Sequence, residues 1–101
     1  MRIIAGKLKG TELFMPEDKR TRPLKDLTRE SIFNLLVHSK KFSLQLDGSS
    51  VLDLYAGTGS FGLESLSRQV KSVYFVENGK AAIKVLKKNI KKLKVEKNSK
   101  I

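Results

Sequence analysis

Among its 101 residues the chain has no cysteine and no tryptophan, two prolines and one histidine. Without thiols there is no disulfide framework and no thiolate metal site, and a reducing compartment fits. The single histidine, His38, has no cluster of acids around it, so it is expected at the surface or in packing, and no metal is expected. Long apolar runs are missing too. Nothing approaches the roughly 20 residues that span a bilayer. The opening Met1-Arg2-Ile3-Ile4-Ala5 is too short an apolar run for a signal peptide. These absences predict a soluble, cytoplasmic protein with no membrane partner.

Acids are also scarce: 10 Asp+Glu stand against 21 Lys+Arg, a net charge of +11. So positive a surface favours polyanions, nucleic acid above all. At 40% hydrophobic and 31% charged, the composition is globular rather than disordered. The length suits one small core.

Arg2 to Ala5 is β-prone and can pair with Thr11 to Met15 across Gly6-Lys7-Leu8-Lys9-Gly10, a glycine-flanked basic loop. Residues 16–23 are polar and aperiodic, as in a linker. After Pro23 a helix is predicted, capped by Asp26 or Thr28, with Leu24, Leu27, Ser31, Ile32, Leu35 and Leu36 on its inner face. Phe42, Leu44 and Leu46 alternate with polar residues, and a turn follows at Asp47-Gly48-Ser49-Ser50. Val51 to Tyr55 reads as a strand, Gly57 to Gly62 as a glycine-rich turn and Leu63 to Arg68 as a short helix. Val73 to Val76 reads as a second strand, apolar enough to be buried on both faces. Ala81 to Leu93 is an amphipathic helix with Ile83, Leu86, Ile90 and Leu93 inward. The lysines from Lys80 to Lys100 read as its solvated face. Phe33, Phe42 and Phe75 are expected in the core, and Glu64 in a structural role near a helix start.

The informative stretch runs from Val51 to Gly62. It places G-x-G-x-x-G, as Gly57, Gly59 and Gly62, directly after a strand and at the start of a helix. Glu77 ends the next strand, twenty residues beyond Gly57. This is the layout of a nucleotide-binding βαβ unit. Glycines let the backbone turn sharply and a ligand approach closely. A carboxylate at Glu77 can accept hydrogen bonds from both ribose hydroxyls. Asp53, inside the first strand, suits a cationic ligand better than a pyrophosphate, which it would repel. It can equally brace the glycine loop through backbone N–H groups, and the two roles can coexist.

Leu52-Asp53-Leu54-Tyr55-Ala56-Gly57-Thr58-Gly59 resembles motif I of Rossmann-type methyltransferases. Its continuation Gly62-Leu63-Glu64-Ser65-Leu66-Ser67-Arg68 is similar to the bacterial 16S rRNA guanine-N2 methyltransferases of the RsmD type. So are the opening Arg2-Ile3-Ile4-Ala5-Gly6-Lys7-Leu8-Lys9-Gly10, Thr21-Arg22-Pro23, and Arg29-Glu30-Ser31-Ile32-Phe33-Asn34. Together these cover the chain to about Glu77. The resemblance implies an α/β fold: a partial Rossmann-like class I methyltransferase fold, with an N-terminal β-hairpin and then a βαβα unit of the parallel sheet. Residues 1–23 would form an RNA-binding hairpin and linker, and 24–101 the first part of the cofactor domain. S-Adenosylmethionine would be the cofactor. Asp53, Tyr55, Ala56, Gly57 and Gly59 would line its binding loop, and Glu77 would bind its ribose. Arg2, Lys7, Lys9 and Arg22 would touch RNA, with 16S rRNA or the small ribosomal subunit as partner.

The chain departs from that pattern in two ways. The Asp/Asn-Pro-Pro-Tyr catalytic loop of the family is absent, since Pro16 and Pro23 are not adjacent. No catalytic residue is therefore assigned, and the later strands are expected to come from a missing C-terminal half. Gln69 also stands where the family usually has a helix-ending glycine. A non-catalytic basic RNA-binding protein is the rival reading; a dinucleotide-binding fragment is a third, opposed by Asp53.

Overall fold

The computed structural model describes residues 1–16, 26–38 and 45–101. The elements follow in the order α1 (Asp26–His38), β1 (Ser50–Leu54), α2 (Ser60–Ser67), β2 (Ser72–Val76), α3 (Lys80–Lys92) and β3 (Ser99–Lys100). A 3-10 turn at Glu96–Asn98 leads into β3. Leu24, Phe42, Leu44 and most of the 16–23 segment lie outside the described residues.

All three strands are parallel, in the spatial order β1-β2-β3. Parallel neighbours require crossovers, and α2 and α3 supply them. This order is one wing of a doubly wound sheet. β1 and β2 pair along their whole length, with Ser50 opposite Ser72 and Leu54 opposite Val76. The sequence pattern predicts two strands here; the third, β3, is two polar residues paired with Val73 and Tyr74, too short to show any alternation.

Among the described residues, one face of the sheet is covered and the other is exposed, a correction to the doubly buried β2 that its apolar run predicts. Val73 and Phe75 are buried, whereas Tyr74 and Val76 are about half exposed. Leu52 and Leu54, their partners on β1, lie exposed on the same open face. On the covered face α2 lies directly against Phe75: a Cβ at Gly62 would come within 2.3 Å of that ring. The helix therefore needs glycine at this contact. It also starts earlier than its sequence pattern suggests, at Ser60 rather than Leu63, so Gly62 is a helical residue.

α1 turns a different side inward from the one its leucines predict. Leu27 and Leu35 are exposed, while Arg29 and Phe33, four residues apart, are fully buried. The helix docks through an ion pair and an aromatic stack. Phe33 stacks on Phe61 with centroids 4.8 Å apart, and the Arg68 guanidinium lies over the Phe33 ring at 4.4 Å.

The N-terminal segment folds back as the sequence suggests, though only one antiparallel bridge, Arg2 to Glu12, is regular. The Ile3 N–H donates to the Thr11 carbonyl at 2.9 Å, and the Leu13 N–H to that of Met1 at 2.8 Å. Ile3 and Leu13 belong to the same buried cluster as Leu63, Phe75 and Leu86. Glu64, wholly buried, fastens this segment to the helices. Its oxygens accept the Ile4 and Ala5 amides at 2.8 and 3.1 Å and the Arg68 Nε at 2.9 Å, and face the Arg29 Nε at 3.5 Å. The Arg29 guanidinium in turn donates to the Arg2 carbonyl. Glu64 is structural, but as an interior hub rather than through a helix terminus.

Candidate functional site at the carboxyl ends of the strands

In a parallel α/β sheet the loops at the carboxyl ends of the strands form the ligand crevice. β1 and β2 end side by side, Leu54 opposite Val76, and the residues expected to bind the cofactor follow there or lie near their ends. After β1 the chain turns at Tyr55, with φ 57, and Gly57, with φ 59, then enters α2 through Gly59, with φ 88. The loop is held from within. The Ala56 N–H donates to the Val76 carbonyl and the Gly59 N–H to the Ala56 carbonyl, both at 2.9 Å. A side chain at Gly59 would be strained at φ 88, and its Cβ would come within 2.3 Å of Leu86 Cδ1, which would have to move.

Two carboxylates frame this loop. Glu77 Oε1 accepts the Gly57 N–H at 2.9 Å, and its Oε2 accepts the Gly79 N–H at 2.8 Å. Asp53 Oδ2 accepts the Gly62 N–H, in the first turn of α2, at 3.1 Å. The bracing role expected of Asp53 is therefore built into the fold. Asp53 is 8% exposed, and its pKa is raised to about 6. Burial is the main cause, opposed by the Gly62 hydrogen bond and reinforced by the negative charge of Glu77.

The remaining expected site residues fall as follows. Tyr55 is almost wholly exposed at the mouth of the loop, and Ala56 packs into the core cluster. Arg2, Lys7 and Lys9 are exposed on the N-terminal fold-back, whose Lys7 amide is tied to the Ser67 carbonyl at 2.9 Å. Arg22 lies outside the described residues. His38 is exposed, and Phe33 and Phe75 are core. Among the described residues no group of His, Cys, Asp and Glu side chains could hold a metal, and no helix is long and apolar enough to cross a membrane.

Asn89 is the residue the sequence pattern does not single out. It is fully buried within α3, its Oδ1 accepting the Phe14 N–H at 2.6 Å. Its Nδ2 donates to the carbonyls of Phe14, at 3.2 Å, and Thr58, at 3.0 Å. One side chain thus binds the N-terminal segment to the glycine loop. A polar residue on the inward stripe of an otherwise apolar helix face is the signal that marks it.

A three-stranded parallel sheet with a glycine loop and flanking carboxylates defines an α/β unit of the methyltransferase type, matching the N-terminal half of solved methyltransferase structures. The family model described as Conserved hypothetical protein 95 matches residues 1–101, and the chain belongs to that family, the RsmD family. It is 40% identical over 93% of its length to ribosomal RNA small subunit methyltransferase D of Haemophilus influenzae, and 35% identical over 93% to that of Escherichia coli. It covers 46% and 44% of those proteins, so it spans about half the length of the curated relatives it matches. Among solved structures, Escherichia coli yhhF, described as a candidate methyltransferase, superposes with a TM-score of 0.81 at 34% identity. That match covers 99% of this chain and 50% of the other. A hypothetical protein of Thermus thermophilus gives 0.77 at 28% identity, over 99% and 53%.

Proposed function

We propose that this chain is the cofactor-binding part of an S-adenosylmethionine-dependent methyltransferase that modifies guanine N2 of 16S rRNA. The observation that carries the reading is the pair of carboxylates, Asp53 and Glu77, at adjoining strand ends around one glycine loop. Burial is the main reason the pKa of Asp53 is raised, and the negative charge of Glu77 adds to the cost of ionising it. A ligand bearing phosphates would add negative charge to that repulsion. A ligand with a ribose diol, an ammonium and a sulfonium would relieve it, so the residues present fit S-adenosylmethionine. When bound, that molecule supplies an electrophilic methyl group.

The roles of this chain's own residues follow from position. Glu77 accepts from the ribose hydroxyls while bracing Gly57. Asp53 holds the loop and presents negative charge to the cationic end of the ligand. Gly57 and Gly59, at φ 59 and 88, turn the loop sharply, Gly59 leaving room for Leu86 beneath it, and Tyr55 borders the ligand. Guanine N2 is a weak nucleophile because its lone pair is delocalised into the ring. Its methylation therefore depends on aiming the amine, and positioning of that kind can be worth roughly 7–11 kcal/mol. The Asp/Asn-Pro-Pro-Tyr loop that would aim it is not among these 101 residues. The chain by itself is accordingly expected to bind cofactor and not to turn over.

Calorimetry with S-adenosylhomocysteine and with NAD tests the cofactor. Methyl transfer from labelled S-adenosylmethionine to naked 16S rRNA and to assembled small subunits tests the activity. Binding of the first ligand and not the second, with transfer only when a segment carrying the Asp/Asn-Pro-Pro-Tyr loop is supplied, supports the reading. NAD binding alone, or turnover by these 101 residues, sinks it. A basic RNA-binding protein without cofactor would bind neither small molecule.

A further inference from the structure

Beyond the cofactor loop, the outer face of α3 presents a second constellation. Phe14 is 46% exposed, and it lines an open groove of about 460 Å³ together with Lys88, Lys91 and Lys92. Lys92 Nζ lies 4.9 Å above the ring centroid. The ring is not on a loose tail. Both the N–H and the carbonyl of Phe14 are held by the Asn89 carboxamide, which also reaches the glycine loop at Thr58.

A merely solvated helix face would be served by mixed charges. α3 has six lysines and no acid, and Lys91 and Lys92 stand at i+3 and i+4 from Lys88. Like charges at that spacing cost about 0.2–0.5 kcal/mol per pair, a cost that a polyanion removes. An exposed aromatic ring flanked by lysines is the chemistry that recognises single-stranded nucleic acid. A base stacks on the ring while the ammonium groups follow the phosphates.

We propose that Phe14, Lys88, Lys91 and Lys92 form a docking surface for an unpaired RNA segment, with one base stacked on Phe14. The surface deepens the rRNA reading given above and rests on it for the identity of the RNA. It shares the fold-back through Phe14, but lies against Asn89 of α3, whereas the loop with Lys7 and Lys9 is tied to Ser67 at the end of α2. Through Asn89 it is one side chain away from the cofactor loop.

Fluorescence anisotropy of a labelled oligouridine about ten nucleotides long, titrated with the 101-residue chain across a salt series, reads the interaction. Phe14→Leu keeps apolar bulk but removes the ring face, and should weaken binding roughly five- to a hundredfold. Phe14→Tyr should restore it. The triple variant Lys88→Gln, Lys91→Gln, Lys92→Gln, exposed throughout and neutral to the core, should reduce the salt slope by about two counterion units. Unchanged affinity in Phe14→Leu together with an unchanged slope in the triple variant overturns the surface. So does loss of all binding in Lys7→Gln, Lys9→Gln alone, an outcome that leaves the methyltransferase reading intact. Polyglutamate bound as tightly as the RNA would make the partner an acidic protein and also overturn it. Failure of S-adenosylhomocysteine to bind, with Phe14-dependent RNA binding retained, would instead remove the function proposed above and leave this surface standing.

Discussion

Glu77 reaches back twenty positions in sequence to hold Gly57, its Oε1 accepting the glycine amide at 2.9 Å while Oε2 takes the amide of Gly79. One carboxylate therefore fixes both the loop after β1 and the entry to α3. Any ligand in the crevice meets a loop already shaped by that anion.

Glu77→Ala is expected to weaken S-adenosylhomocysteine binding, because hydrogen bonds to a charged group are worth roughly 1.5–3 kcal/mol each. Glu77→Gln retains an acceptor without the charge and should fall between. Calorimetry on the three proteins measures it. Equal affinities would confine Glu77 to bracing the loop.

The raised pKa of Asp53 has a defined sign. Its value moves from the ordinary 3.8 to about 6, so between those limits the folded state binds more protons than the unfolded one. The contribution of this group to stability is present in full below pH 4 and is lost as pH rises through about 6, on the order of 2–3 kcal/mol at most. Asp53→Asn removes the titration. The variant should gain stability relative to the parent between pH 4.5 and 7.5, read from urea midpoints. Binding of a cationic ligand to the parent should strengthen over the same interval, since it needs the carboxylate ionised.

Glu64→Ala should be the most damaging of these substitutions to the fold. It strips partners from the Ile4 and Ala5 amides and from the guanidinium groups of Arg29 and Arg68 at once. Removing one partner from a buried ion pair typically costs about 3–5 kcal/mol. Urea unfolding measures the loss, and amide exchange at residues 3–8 should rise first. A change under about 1 kcal/mol would show that water replaces the carboxylate.

Gln69→Gly should stabilise the chain. Gln69 sits at φ 77, just past α2, where the Val70 amide donates to the Ser65 carbonyl and the Gln69 amide to that of Leu66. These bonds close a helix with a left-handed residue, a conformation that costs a side chain roughly 1–2 kcal/mol. Glycine's greater freedom in the unfolded chain returns part of that. A net gain of up to about 1 kcal/mol, a rise of about 4–8 °C in Tm for a chain this small, is expected. Lys94, at φ 57 after α3, ends its helix in the same way, and Lys94→Gly should behave alike. A lower Tm for both would mean that the side chains offset the strain.

Much of the site was legible in the chain because its signals are local. A short apolar strand, closely spaced glycines and a carboxylate ending the next strand need only a few residues each, and β1, α2, β2 and α3 fall close to where those patterns put them. The face of α1 was not legible in this way. Its leucines form a better apolar stripe than Arg29 and Phe33, yet the latter are buried, because Arg29 finds Glu64 and Phe33 finds Phe61. Periodicity weighs apolar area and does not see a distant partner that makes a charge cheap to bury.

The sequence by itself determined the parallel βαβ arrangement, the glycine loop with Asp53 and Glu77 around it, and the excess of positive charge. Each depends on residue type and near spacing. Only the tertiary structure decided that Glu64 joins Ile4 across 60 positions, that Asn89 joins Phe14 across 75, and that one sheet face is exposed among the described residues. Hydrogen bonds to a buried side chain are made by whichever groups the packing brings within reach. Such partners leave no trace in the local pattern that encodes a strand or a helix.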